Sequence, residues 1–515
     1  MYQDSLKRRI DNWFHKDYRS TFLERVYLLL ESDRLFEGQP HAVKYGNTLK
    51  HILENISLPM NEDEIIVGSV KEEIPTEEEY AQLSDIYKKW WNIPLEERHK
   101  KTQFYYSEGW LKCRPPWFVS YGHLCFDWEK ILSEGLMSMK EEALRVLGAQ
   151  EDIDKKSFLT GTIICYESIM DYIKRYAVAV RMRKNTDLAV MLEHVAYYPA
   201  RTMKEALQLI WIIILVAQKV CGCGVLNLGR MDQYLLKYLE NDLSEGRLTE
   251  SQAYDLLREF YFKNNEIMVL TDHMSQEKGE TKYVLEVAYD DPNYLILGGK
   301  KFNGDSGVNA LSFLMIKVMH EMKLKNPFII IRYHKGIHQD FLTAACSAMR
   351  DNASIVIYND ETMISALKYY GVQEPEVYDY GFFGCNDVNI DSYEGGLRQV
   401  WFNFAKALEL ALNRGDYPME PRQGKEDKNC QFDIGDRMVG LMTGAYYGID
   451  TGDVNDFKSM DDVLTAFEKQ LTYLISEYRC GFETDFLIEK AVCKNMMRIE
   501  DCFLKGTVEN AESWI

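Results

Sequence analysis

Between Tyr294 and Cys385 the chain alternates short apolar runs with amphipathic stretches, and that rhythm limits the available folds more than any other feature. Tyr294-Leu295-Ile296-Leu297, Phe328-Ile329-Ile330-Ile331-Arg332-Tyr333 and Ser354-Ile355-Val356-Ile357-Tyr358 read as strands, two of them rich in β-branched residues and none with a polar alternation. Helices are expected between and after them, over 308–322, 339–350 and 361–370. Repeated strand–helix units of this kind build an α/β sheet or barrel rather than a bundle. In such folds the loops beyond the strand ends carry chemistry. The last unit runs into Tyr378-Asp379-Tyr380-Gly381-Phe382-Phe383-Gly384-Cys385-Asn386-Asp387, an aromatic strand opening into a glycine turn that presents a thiol and, two residues later, a carboxylate. Cys385 and Asp387 are therefore the candidate catalytic pair, although a cysteine beside a glycine is more often simply buried.

Upstream of this region the patterning is helical. Leu6, Ile10, Phe14, Phe22, Val26 and Leu29 share one helical face, and a second helix is expected over 41–55. Ile65-Ile66-Val67 reads as a short strand. Helices follow over 128–147 and 157–183. Thr202 with Glu205, and Thr249 with Gln252, have the spacing of capping boxes. The first starts a helix through Leu209-Ile210-Trp211-Ile212-Ile213-Ile214-Leu215-Val216-Ala217, too short an apolar run to span a bilayer and suited to burial on all sides. Downstream, a helix over 401–412 ends at Asn413-Arg414-Gly415, and Ser459 with Asp462 caps another.

Charge narrows the partners. With 80 acidic against 60 basic residues and a formal charge of −20, nucleic acid is an unsuitable ligand, because its binding rests on phosphate neutralisation by Lys and Arg. Eleven cysteines show neither disulfide-framework nor zinc spacing, Cys221 and Cys223 being the one close pair. The reading is a cytoplasmic protein with no secretory signal, no membrane segment and no metal.

Taken in order, several fragments resemble the pyruvate formate-lyase-like family of glycyl radical enzymes. They are Glu24-Arg25, Gly38-Gln39-Pro40, Asp63 to Gly68, Gly122-His123, Pro199-Ala200-Arg201 with Glu205 to Gln208, Gly229-Arg230-Met231-Asp232-Gln233-Tyr234-Leu235, Gly298-Gly299, Pro327 with Arg332, Asn359-Asp360, Tyr380 to Cys385, and Ala407 to Leu412. The resemblance implies a ten-stranded α/β barrel of two antiparallel half-barrels wrapped by helices, with a mostly helical part over 1–185 and the barrel over 186–515. It places the cysteine loop, 378–387, in the barrel's centre. Cys385 would then act as a thiyl that abstracts hydrogen from a substrate held by Arg230, Asp232, Arg332, Arg398 and His123.

The family's eliminases carry Gly-Cys-Val-Glu where this chain has Gly384-Cys385-Asn386-Asp387, so Asp387 is the expected acid or base, one methylene shorter. The adjacent cysteine pair of formate lyases is absent, which disfavours a thioester route. Asp501-Cys502-Phe503-Leu504-Lys505-Gly506 resembles the approach to the family's C-terminal radical domain, but no Arg-Val-x-Gly-Tyr-like loop follows within these residues. The implied arrangement is the large subunit of a split lyase or dehydratase, with a homodimer as one assembly open to it, acting on a small polar or anionic substrate. No cofactor would be bound directly. The radical glycine would sit on a small partner protein and be generated by a radical S-adenosylmethionine activase with an iron–sulfur cluster. The alternative is a barrel that has lost radical chemistry and serves as a regulatory binding protein.

Overall fold

The computed structural model describes residues 2–14, 22–61, 63–73, 75–79, 81–82, 118, 120, 122–267, 270–277, 280–287, 292–352, 354–383, 387–392, 404–415, 448–493 and 497–513. Among them, five strands form one wholly parallel sheet. These are β1 (Leu124–Cys125), β2 (Leu226–Asn227), β5 (Tyr294–Gly298), β6 (Phe328–Tyr333) and β7 (Ile355–Asn359), in the spatial order β1-β2-β5-β6-β7. Two antiparallel hairpins complete the strand set: β3 (Leu270–Glu277) with β4 (Glu280–Val287), and β8 (Tyr380–Phe383) with β9 (Asp387–Ile390). Helices surround the sheet, consistent with an α/β architecture. Ten strands and barrel closure are not seen among the described residues.

The continuous apolar runs have a direct cause. On β5 and β6, Leu295, Leu297, Ile329 and Ile331 belong to the main core together with the helices Ala310–Met322 and Gln339–Asp351. The alternate residues Ile296 and Ile330 face a second apolar cluster with Tyr380, Phe382 and Ile390 of the hairpin β8–β9. A strand covered on both faces has no face left for a polar alternation. Hairpin β8–β9 thus lies on the inner face of the sheet, against β1, β2 and β5.

The expected long N-terminal helix is two, Tyr2–Phe14 and Leu23–Leu35, with 15–21 outside the described residues. Ile65-Ile66-Val67 forms no strand. Its backbone is paired by a side chain instead: Gln208 accepts from Val67 N at 2.9 Å and donates to Val67 O at 2.8 Å. The helix Met203–Ile214 that supplies Gln208 is buried along most of its length, as its apolar sequence requires, and continues as a wider π turn over Leu215–Val220. That turn carries Gln218 into a buried amide network: Gln218 and Asn293 exchange hydrogen bonds at 2.8 Å, and Asn293 also donates to Asn264 Oδ1 at 3.0 Å. Asn326 Oδ1 accepts from Asn293 N at 2.9 Å, and Asn293 Oδ1 accepts from Leu226 N at 3.2 Å. These amides satisfy backbone groups where the strands begin and the sheet ladder has not yet taken over.

A second polar group fastens the N-terminal helix. Lys263, fully buried, donates to Glu64 Oε1 at 2.7 Å and to Gly68 O at 3.2 Å, with Trp211 5.7 Å from its Nζ. Arg9 reaches Glu259 through two hydrogen bonds of 2.8 and 2.6 Å. Burial alone would lower the Lys263 pKa, but Glu64, Glu266 and Glu259 outweigh it and raise it. Replacing Lys263 with Met removes the nearer counter-charge of buried Glu64, leaving Arg9 3.8 Å away. The expected outcome is a loss of about 3–5 kcal/mol in urea unfolding, with an unchanged m-value. A loss below about 1 kcal/mol would show that the network is not integral to the fold.

Candidate active site

The described part of the site is the root of the cysteine hairpin. Tyr380 pairs with Ile390, Gly381 with Asn389, Phe382 with Val388 and Phe383 with Asp387, so the described ladder runs up to the two residues that flank 384–386 in sequence. Cys385 and Arg398 lie outside the described residues, as does the side chain of Asp387. What the described residues supply is the hold on the tip.

Two guanidiniums converge on that root, one from β6 and one from the turn after β2. Arg332, at the end of β6, has no exposed surface. Its Nε and Nη2 donate to Asp360 at 2.7 and 3.3 Å, and its Nη1 donates to the carbonyls of Tyr378 and Tyr380 at 2.9 and 3.1 Å. Arg230, which follows β2, donates to the same Tyr378 carbonyl at 3.0 Å and to Gly298 O at 2.9 Å, with Asp379 3.4 Å away. The Tyr380 ring lies under the Arg332 guanidinium, 3.8 Å from its centroid, and the Tyr380 hydroxyl donates to Asp360 Oδ1 at 2.5 Å.

Electrostatics explains how so much charge survives burial. Burial would lower the Arg332 pKa, but Tyr380 and Asp360 outweigh it and hold it above its ordinary value. Arg230 is lowered, first by burial and then by its like-charged neighbour Arg332. Burial likewise pushes Asp360 upward, yet Arg332 keeps it below its ordinary value. Asp360 also accepts from Lys300 N at 2.5 Å, so the carboxylate is satisfied on both oxygens.

Asp232 grips the same residue that Arg230 holds. Its Oδ2 accepts from Gly298 N at 2.9 Å and from Ser312 Oγ at 2.5 Å, while Gln233 donates to Oδ1 at 2.8 Å. Arg230 and Asp232 thus meet at Gly298. Gly299 supplies clearance: its φ is +78°, and a Cβ there would sit 2.7 Å from Arg332 Nε, so a side chain would push the guanidinium off its partners. The Gly298-Gly299 pair serves the arginines and lacks the lysine–serine pair of a phosphate loop. His123 is buried just before β1, with φ +59°, and its backbone N–H donates to Val225 O at 2.5 Å. It precedes β1, at the N-terminal end of the parallel strands, whereas Arg230 follows β2 and Arg332 lies near the C-terminal end of β6, so the structure groups Arg230, Asp232 and Arg332 but not His123 with them.

Residues that sequence reading passed over complete the root. Asp360 and Tyr378 are named only by short motifs, and nothing in their local pattern announces an arginine partner. Asp391 and Cys125 give still less signal. Asp391 carries its carboxyl just past the return strand of the hairpin, with a pKa pushed up to about 7 by burial and by Asp379. Among the described residues, no group of three His, Cys, Asp or Glu side chains could hold a metal ion, and no helix is long and apolar enough to cross a membrane.

Replacing Arg332 with Met leaves Asp360 buried without its cation. The expected cost is about 3–5 kcal/mol of stability in urea unfolding. Arg332→Lys restores the charge but not the forked geometry, and should recover only part of that loss. Equal stability of the Met variant and the parent would show that the pair does not hold the hairpin.

The family described as PFL-like, pyruvate formate lyase-like, matches residues 70–511. Trans-4-hydroxy-L-proline dehydratase of Clostridioides difficile is 26% identical, over 94% of this chain and 65% of its own length. Isethionate sulfite-lyase of Nitratidesulfovibrio vulgaris is 25% identical, over 87% of this chain and 58% of its own. The chain therefore spans about 58–65% of these curated relatives. The glycerol-bound, B12-independent glycerol dehydratase from Clostridium butyricum superposes with a TM-score of 0.72 at 23% identity, over 95% of this chain and 64% of that one, a likeness of fold.

Proposed function

Because the chain belongs to the pyruvate formate lyase-like family, we propose that it is the large, substrate-binding component of a split glycyl radical enzyme of the lyase or dehydratase type. One observation carries this reading: two buried guanidiniums, one from β6 and one from the turn after β2, meet on the Tyr378 carbonyl, at the root of the hairpin between whose strands the sequence puts Cys385. Buried ion pairs are commonly replaceable by apolar residues without loss of stability. A fold that concentrates desolvated charge on one loop root gains placement of that loop, and a hydrogen-abstracting sulfur needs placement above all.

In the proposed reaction, the Cys385 thiyl takes a hydrogen atom from a substrate carbon, forming S–H as C–H breaks. The neighbouring leaving group departs with its bonding electron pair and a proton, and Asp387 is the acid or base that moves protons. The Cys385 thiol then returns its hydrogen atom to the product radical and becomes a thiyl again. The relatives, named for hydroxyproline and isethionate, support a small, polar or anionic substrate bearing a leaving group. Arg398 and His123 are its candidate ligands. Arg230, Asp232 and Arg332 are assigned to holding the hairpin, because their hydrogen bonds are made to protein partners.

The radical glycine is proposed to reside on a separate small protein, activated by a radical S-adenosylmethionine enzyme with an iron–sulfur cluster. The five parallel strands would form one part of the ten-stranded barrel in a cytoplasmic protein, and a wall of Tyr380, Phe382 and Tyr358 would keep water from the sulfur. The test is anaerobic co-expression with candidate glycine-loop proteins and the activase, followed by electron paramagnetic resonance and turnover of small hydroxylated acids and sulfonates. A glycyl doublet with turnover that vanishes in Cys385→Ala is expected. Turnover that survives this substitution would overturn the thiyl assignment. A glycyl doublet without turnover of any such substrate would favour the binding-protein alternative.

A further inference from the structure

The hairpin has two ends, and the arginines hold only the incoming one, at Tyr378 and Tyr380. The outgoing end, Asp391-Ser392, is fixed differently. Asp391 N donates to Asp379 O at 2.9 Å, closing the hairpin across its base, and Lys505 N donates to Ser392 O at 2.9 Å, tying it to the C-terminal segment. Between these two contacts the Asp391 carboxyl and the sulfur of Cys125, the last residue of β1, close in on the same face of Gly229. The Cys125 sulfur also lies 3.4 Å from Phe126 O. Cys125 has 1% of its surface exposed. Gly229, with φ +63°, makes the approach possible: a Cβ there would lie 3.0 Å from both Asp391 Oδ2 and Cys125 Sγ.

The pair is set apart from the surrounding ion pairs. Among the described residues, Cys125, Asp379, Arg230, Arg332 and Tyr234 are the ionisable groups around the Asp391 carboxyl, with Asp127 also acting on the thiol, but the hydrogen bonds of both guanidiniums go to other partners, Arg230 Nε alone making none. Among the described residues, Asp391 Oδ1 is buried without a hydrogen-bond partner, as is Asn389 Nδ2 two residues earlier on the same strand face. A carboxylate in that setting would face Asp379 and an unionised thiol with neither guanidinium bonded to it. Below about pH 7 the neutral carboxylic acid is the species that the surroundings favour, in keeping with the upward displacement of its titration.

We propose that Cys125 and Asp391 are positioning residues: a thiol–carboxylic acid contact that fixes the outgoing end of the catalytic hairpin, as Arg230 and Arg332 fix the incoming one. The proposal rests on the assignment of Cys385 as the reacting sulfur, and goes beyond it by giving a function to a second, unreactive cysteine. Cys125 takes no part in hydrogen transfer. Its burial keeps the thiol protonated, since the pKa is raised well above the ordinary value, first by burial and then by Asp391.

The linkage has a definite sign. The acid's pKa is near 3.9 in an unfolded chain and about 7 here, so the folded state holds the extra proton. Its contribution to stability is complete below about pH 4, declines as pH rises to about 7, and changes no further above that.

The test reads the hairpin without requiring turnover: anaerobic alkylation of Cys385 by iodoacetamide, followed by peptide mass spectrometry, with thermal unfolding recorded from about pH 5 to about pH 8. Asp391→Asn keeps a neutral side chain of the same shape. It is expected to retain the parent's alkylation rate at about pH 6 and to lose less Tm than the parent between about pH 5 and about pH 8. Cys125→Ala and Asp391→Leu are expected to raise Cys385 alkylation about tenfold or more, as local opening of the hairpin becomes easier. Parent-like alkylation in Cys125→Ala, or an Asn variant with the parent's full Tm decline, would overturn the proposal, and Cys125→Ala decides it if the Leu variant fails to fold. Success here with no turnover in any reconstitution would leave the latch standing and discard the radical reading.

Discussion

Arg332 and Asp360 form the interaction on which the rest of this site depends. The pair is wholly buried, and its geometry ties together three elements that have no other reason to share a register: the end of β6, the start of the helix Asp360–Tyr369, and the entry to β8. Coulomb attraction at such a contact is strong only because water is excluded, and the same exclusion makes an unpaired member costly. Tyr380 resolves that tension by serving both sides. Its ring accepts the guanidinium against its face, and its hydroxyl donates to the carboxylate. The hairpin is thereby part of the counter-charge system, and cannot shift without exposing an ion.

Apolar packing and polar fastening divide the labour. The inner sheet face gives Ile296 and Ile330 to the hairpin's Tyr380, Phe382 and Ile390, which presses the hairpin down but would tolerate a slide, because hydrophobic contact is not directional. Hydrogen bonds to the carbonyls of Tyr378 and Tyr380 remove that freedom along the strand. At the opposite ends of β2, β5 and β6, the Asn293–Gln218–Asn264–Asn326 amides do a similar task without charge. The contrast fits the positions: neutral amides where the strands only need to start, ions where one loop must be aimed.

The strands of highest apolar density were legible in the sequence because burial on two faces writes itself as an unbroken run. β5, β6 and β7 all appear within a residue or so of where the runs lie. β1 and β2 were not legible, since two-residue strands ending in Cys125 and Asn227 have no periodicity to detect. The Ile65–Val67 reading failed for a related reason: β propensity describes a residue that fits a pleated surface, whereas here a glutamine side chain took the place of the neighbouring strand. The site was half visible. Cys385 stood out through its glycine turn, and Arg332 through its position at the end of an apolar strand. The physical role of Arg332 was hidden because its partners lie 28, 46 and 48 residues away, beyond any local pattern.

Read as a string, the family motif looks like a substrate pocket, and the fold shows which protein groups the same side chains hold. Gly229-Arg230-Met231-Asp232 places a cation and an anion two residues apart, as a binding site for a polar molecule would. Folded, the two side chains hold the two polar groups of one residue, Arg230 the carbonyl of Gly298 and Asp232 its amide, while Gly229 opens the space between Cys125 and Asp391. A motif that orients several loops at once is constrained at every position, whether or not it touches substrate. On the proposed assignment, chemistry at Cys385 asks little of its immediate neighbours beyond Asp387 and a dry wall; what it asks most is that the sulfur be in one place, and that demand falls on residues far from it in sequence.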